Sequence, residues 1–122
     1  MSLADQMSAD ALAAQRIARK FFVVGLDLTR DSIDELEGLF DDVEFSMKGG
    51  KSEENIELLT RSWGAYVGEV LRREGDGEWI QEGEGVALRL GDRSVKPHDQ
   101  VRARLVEGNQ HNIVQYIEQL LS

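Results

Sequence analysis

Two histidines, 23 acidic residues and no cysteine are the raw material for chemistry in this 122-residue chain. His98 and His111 lie in different segments. Neither has a second histidine or a carboxylate three or four residues further on, the spacing that sets two metal ligands on one helix face. Both read as exposed or capping side chains. The lack of cysteine removes thiol nucleophiles, thiolate metal ligands and disulfides, and it fits a reducing compartment. No serine sits in a Gly-x-Ser-x-Gly elbow. Met47-Lys48-Gly49-Gly50 lacks the spaced glycines and the Gly-Lys-Ser/Thr ending of a phosphate loop, so it reads as a connector. Glu53 and Glu57 share a helix face, yet such pairs arise by chance in so acidic a chain. No catalytic residue, metal or cofactor is therefore expected.

The most distinctive stretch is Trp63-Gly64-Ala65-Tyr66-Val67-Gly68-Glu69. Its two glycines fall four apart on one side of a helix, where each costs about 1 kcal/mol relative to alanine. Close approach of another element would offset that cost, and the Ala-rich face of the first helix is one such element. The other reading is a ligand or partner reaching the backbone there. Gly64, Tyr66, Gly68 and Glu69 are accordingly candidate binding residues. Glu69 is the one acid set among apolar residues. If buried it needs a partner, with Arg89, Arg93 or Lys96 as candidates. Enclosed and paired, it is a brace. Facing a cleft, beside Tyr66 and His98 or Arg89, it would belong to a small ligand-binding domain or enzyme.

The elements that must position these residues read as α+β. Ser8 to Val24 has helical spacing at Ala13, Ile17, Phe21 and Val24, with Ser8 as N-cap and Gly25 as stop. Residues 1–7 read as a flexible N-terminus. A second helix starts near Asp31 or Ser32, where Ser32 and Glu35 have capping-box spacing. Its stripe is Ile33, Leu36, Leu39, Phe40 and Val43. Ser52 caps the third helix, Glu53 and Glu54 fill its first turn, and Gly75 ends it. Its apolar face runs from Ile56 through Leu59, Trp63, Tyr66, Val67 and Val70 to Leu71. After Gly75 the period changes to two. Glu78–Gln81, Val86–Leu90 and Arg93–Val95 form a three-stranded antiparallel meander, turning at Glu82-Gly83-Glu84-Gly85 and Gly91-Asp92. Three strands need a helix layer on one face. Val101 to Leu105 alternates like a strand, but Pro97 and Asp99 suit a helix start, and helix is preferred. Ile113, Tyr116, Ile117 and Leu120 mark a last helix. The whole, 1–122, is one domain with N-terminal helices, the meander, and C-terminal helices on one sheet face.

Charge narrows the function classes. The net charge of −9 opposes binding to nucleic acid or anionic membranes. No leader or membrane span is visible, which points to the cytoplasm. Between Asp27 and Glu57 eleven acids face three bases, a net −8, while Val86 to Val106 carries five bases and two acids, a net +3. Two solvated surfaces that partly neutralise each other are the ordinary reading. The sharper one is an acidic docking face, with Asp34, Glu37 and Asp41, for a basic protein partner. A homodimer covering apolar surface at Trp79 and Tyr116 is a third reading.

Trp63 to Leu71, followed by Gly77-Glu78-Trp79 and Val95-Lys96-Pro97, resembles a family of small bacterial proteins known as domain of unknown function 3806. The resemblance spans about residues 56–107. It implies an architecture of a Gly-x-Tyr-x-Gly-Glu helix, a Gly-x-Trp strand, a short sheet and a Pro-started helix. It also implies a bacterial origin, and it carries over no catalytic residue. The expectation is a non-catalytic interaction module, in the style of a bacterial immunity protein that docks a cationic toxin.

Overall fold

A computed structural model describes all residues from Met1 to Ser122. The architecture is α+β, with helices before and after a three-stranded antiparallel sheet. Helix α1 spans Leu3–Ile17 and opens on Ser2, whose hydroxyl accepts the Asp5 N–H at 3.1 Å. It therefore begins inside the segment expected to be flexible, and Ser8 is not its cap. Met7 explains the earlier start: it is buried and extends the small-residue stripe of Ala11, Ala14 and Ala18 back by one turn.

The end of α1 also differs from expectation. The helix widens into a π turn at Ala18–Phe22, and Val23, not Gly25, takes the left-handed conformation with φ 58°. The wider turn brings the Phe22 ring within 5.8 Å of Trp63. Insertion of one extra residue in such a turn re-aims the side chains that follow.

Helix α2 (Ser32–Leu39) runs through a 3-10 turn at Phe40–Asp42 into the short α3 (Val43–Ser46). Its start uses no Ser32–Glu35 capping box. Thr29 substitutes, accepting the Ser32 N–H on its hydroxyl at 3.2 Å, while Asp27 accepts the Thr29 hydroxyl at 2.6 Å. That hydroxyl holds the exposed Asp27 carboxyl below its usual range. Ser32 itself turns inward and is buried.

Helix α4 (Glu53–Gly75) is the central element, and its local signals agree with its structure. Ser52 accepts the Asn55 N–H at 3.2 Å, and acids in the first turn and arginines in the last suit the helix dipole. The chain leaves the helix through Asp76 in the left-handed conformation, which aspartate tolerates better than most residues. Strands β1 (Glu78–Glu82), β2 (Gly85–Leu90) and β3 (Arg93–Val95) form the meander, with Trp79 opposite Leu88 and Leu88 opposite Val95. Trp79, Leu88 and Leu90 face the helices, whereas Glu78, Glu82, Arg89 and Ser94 stay on the solvent side. Helix α5 spans Pro97–Glu107, resolving the helix–strand ambiguity after Pro97, and α6 spans Ile113–Leu121. Helices α1 and α5 both pack on α4, and α6 packs against α2. One core joins them, with Trp63, Tyr66, Leu59 and Leu71 of α4 fully buried at its centre.

Candidate functional site

The glycines of α4 are contact points for two different elements. A Cβ on Gly64 would sit 2.8 Å from the His98 Cα, so α5 begins hard against the α4 backbone. A methyl on Gly68 would fall inside the Trp79 indole of β1. The alanine face of α1, the neighbour expected from sequence, also packs on α4, but the nearest atoms at these two glycines belong to α5 and β1. Close packing of α5 and β1 is what offsets the cost of two helical glycines.

Glu69 is 5% exposed. Its carboxylate accepts the Arg72 Nε–H at 2.7 Å and the Trp79 Nε1–H at 2.8 Å. The expected partners are occupied elsewhere: Arg89 lies 4.0 Å from Glu78, Lys96 lies 3.4 Å from Glu82, and Arg93 donates to the Leu120 carbonyl at 3.1 Å. Arg72 was legible at i+3 on the same helix, a spacing at which charges meet. The hydrogen bond that Arg72 donates to Glu69 raises the Arg72 pKa above its ordinary value. Glu69 thus braces the α4–β1 junction.

Tyr66 serves a separate junction. Its hydroxyl accepts the Leu28 N–H at 2.8 Å and lies 2.6 Å from Ser32 Oγ. Ser32 gives its own proton to the Thr29 carbonyl at 2.6 Å, so Tyr66 is the donor between the two hydroxyls. Burial raises the phenol pKa. The network pins Leu28, which has φ 64°. Tyr66 and Glu69 are brought to different elements, and no shared cleft joins them.

His98 is half-buried rather than exposed. Its ring centroid lies 5.8 Å from Trp79, and Nδ1 is buried without a hydrogen-bond partner. Burial lowers its pKa against the opposing pull of Asp10, Asp99 and the Arg61 backbone. His111 lies 3.3 Å from Glu107, four residues before it. No three His, Asp or Glu side chains converge to hold a metal ion. Trp79, expected to leave apolar surface, is enclosed at 6% exposure. Tyr116 is half-buried, and burial followed by the charge of Asp99 pushes its pKa up to about 12.

The three acids of the expected docking face separate into two roles. Glu37 and Asp41 turn to Arg104, which is 1% exposed. Arg104 donates from Nε to Glu37 at 2.8 Å and from Nη2 to Asp41 at 3.2 Å, with its guanidinium 5.1 Å from the Phe40 ring. Burial works against the Arg104 charge, but the two carboxylates outweigh it and raise its pKa. The second Glu37 oxygen accepts the Ile113 N–H at 2.8 Å, tying the first turn of α6 to α2. Asp34 stays exposed, on the rim of a slot between α2 and α6. Sequence reasoning placed Arg104 in a solvated basic segment. The missed signal was its position between Val101 and Leu105 on the buried stripe of α5. Comparison with known protein families, characterised proteins and solved structures returns no match for this chain.

Proposed function

We propose that the protein is a non-catalytic interaction module whose α2–α3 face docks a basic protein partner, much as a bacterial immunity protein docks a cationic toxin. The observation that carries this reading is what the arginines of α5 leave unpaired. Arg104 engages Glu37 and Asp41, and Arg102 engages Glu53 at 3.3 Å. Asp31, Asp34, Glu35, Asp42, Glu54 and Glu57 are exposed and join no ion pair. Asp31, Asp34, Glu35 and Asp42 follow one another along α2 and its ends, where unpaired like charges repel one another and add nothing to the stability of the free protein. They speed and select encounter with a cationic surface. Glu69 and Tyr66, the residues on which a ligand-binding cleft was expected, are both engaged in holding elements together. The resemblance over residues 56–107 supports a bacterial origin within the family of domain of unknown function 3806. Together with the absence of cysteine, it suggests the cytoplasm.

The test is affinity capture from cells of the source organism at low and at high salt, with an Asp34→Lys/Glu35→Lys variant beside the wild type. A basic protein retained at low salt, released by salt and lost on charge reversal is the expected result. Capture of no basic protein, or capture indifferent to salt and reversal, removes the proposal.

A further inference from the structure

Helices α2 and α6 enclose a slot of about 130 Å³. Ile33, Val114 and Ile117 supply its apolar lining, and Arg30, Asp31, Asp34 and Glu118 ring it. Ile33 and Ile117 are at most 2% exposed and belong to the core, while Val114 is half-buried. The slot therefore ends on the edge of the hydrophobic core, with Val114 as its more accessible apolar wall. A closed apolar void of about 150 Å³ takes up a benzene-sized group. The slot has a similar volume but is open to solvent and charged around its rim, so it suits a side chain presented from outside. Its walls are fixed independently of any occupant, because Glu37 holds the Ile113 N–H at 2.8 Å and is itself held by Arg104.

We infer that this slot anchors the acidic face by seating one apolar side chain, of leucine or phenylalanine size, from a partner segment with lysine or arginine on either side of it. The inference rests on the docking reading above and adds to it the identity of the contacting chemistry. An apolar group alone would strip water from three rim carboxylates without replacing it, which is unfavourable. Cationic neighbours restore those contacts, and an acidic segment would be repelled. Arg30 is the single cation on the rim and leaves it acidic. Interfaces concentrate their energy where an aliphatic or aromatic side chain fills a pocket inside a polar rim. A slot formed before binding also lowers the ordering cost of association.

The probes are two amidated pentapeptides, four lysines around a central leucine and four lysines around a central glycine. Each is titrated at low salt into isotopically labelled protein and followed by amide chemical shifts. The leucine peptide is expected to bind roughly tenfold more tightly, as burial of one aliphatic side chain implies. Its largest shifts should fall around Asp34 and Val114. Val114→Trp fills the slot without altering charge and should reduce the leucine peptide to the affinity of the glycine one. Equal affinities on the wild type, or a leucine advantage that survives Val114→Trp, overturn the slot and leave acidic docking intact. If neither peptide binds, both readings fall. Asp34→Lys, at an exposed position, keeps the test decisive should Val114→Trp not fold. It should weaken both peptides while preserving their ratio, and a ratio of one in that variant overturns the slot.

Discussion

Two carboxylate–guanidinium pairs hold this molecule together, and they differ in reach. Glu69 and Arg72 are three residues apart on α4, and the Trp79 indole joins them from β1. Arg104 reaches Glu37 across 67 positions of sequence and, through Glu37, fixes the start of α6. The first pair decorates a contact that Gly68 and Trp79 already make. The second is the polar link on which α5, α2 and α6 converge. Similar chemistry is therefore reinforcing in one place and organising in the other. A buried guanidinium with its partner removed leaves an uncompensated charge, whereas a half-exposed one falls back on water. The side chain of Arg104 is 1% exposed and that of Arg72 is 37%.

The strongest way to test this contrast is Glu37→Ala. It leaves Arg104 with only the exposed Asp41 as partner and frees the Ile113 N–H, and should cost about 3 kcal/mol in urea unfolding. Arg104→Met with Glu37→Gln should recover much of that loss, because an apolar side chain tolerates the same surroundings. Equal destabilisation by the double variant would show that packing, not the charge, governs the site. Next comes Gly68→Ala. Helix propensity favours it by about 1 kcal/mol, but the methyl collides with the Trp79 indole, and overpacking of about 1–3 kcal/mol should prevail. A stabilised Gly68→Ala would mean that β1 can retreat from α4, and the junction would then depend on Glu69.

Glu69→Gln retains an acceptor for Trp79 and removes only the ionic partner of Arg72. It should cost about 1 kcal/mol, well below Glu37→Ala. A loss as large as that of Glu37→Ala would erase the distinction between the two pairs. His98 sharpens the same junction through pH. Its folded pKa lies below its ordinary value because burial disfavours the imidazolium. The unfolded chain therefore binds more protons, and the contribution is complete above the unfolded value of about 6.5. It is lost as pH falls below that, at no more than about 1.4 kcal/mol per pH unit. Chemical denaturation between about pH 7 and pH 5 should show a slope that His98→Gln flattens. An unchanged slope would assign the acid sensitivity to other groups.

Helix α4 and the meander were legible because their signals are local. Ser52, Glu53 and Arg72 announce the helix ends, and Gly83 and Gly91 announce turns between alternating segments. The two glycines of α4 announced a close contact, but which element makes it depends on where Trp79 and His98 arrive from later in the chain. The acidic face was only half legible for the same reason. Asp34, Glu37 and Asp41 look alike in sequence, and only the arrival of Arg104 from α5 pairs two of them and draws Glu37 in from the surface, while Asp41 stays exposed. The early start of α1 was missed because Met7 and Ala11 form a stripe of modest hydrophobicity. The π turn was missed because nothing in Ala18–Phe22 distinguishes it from ordinary helix until Phe22 meets Trp63.

That turn supports the smallest prediction. Val23 is 89% exposed and left-handed at φ 58°, a conformation that a β-branched residue adopts at a cost. Its side chain contributes little to packing, so the backbone alone decides its effect. Val23→Asn, or Val23→Gly, should stabilise the protein by about 0.5–1 kcal/mol, with asparagine losing less chain entropy on folding. Thermal unfolding reads the difference. A destabilised Val23→Asn would mean that the exposed isopropyl group, not the backbone, holds the end of α1. The turn would then be fixed from outside by Val23 as well as from inside by Phe22 against Trp63.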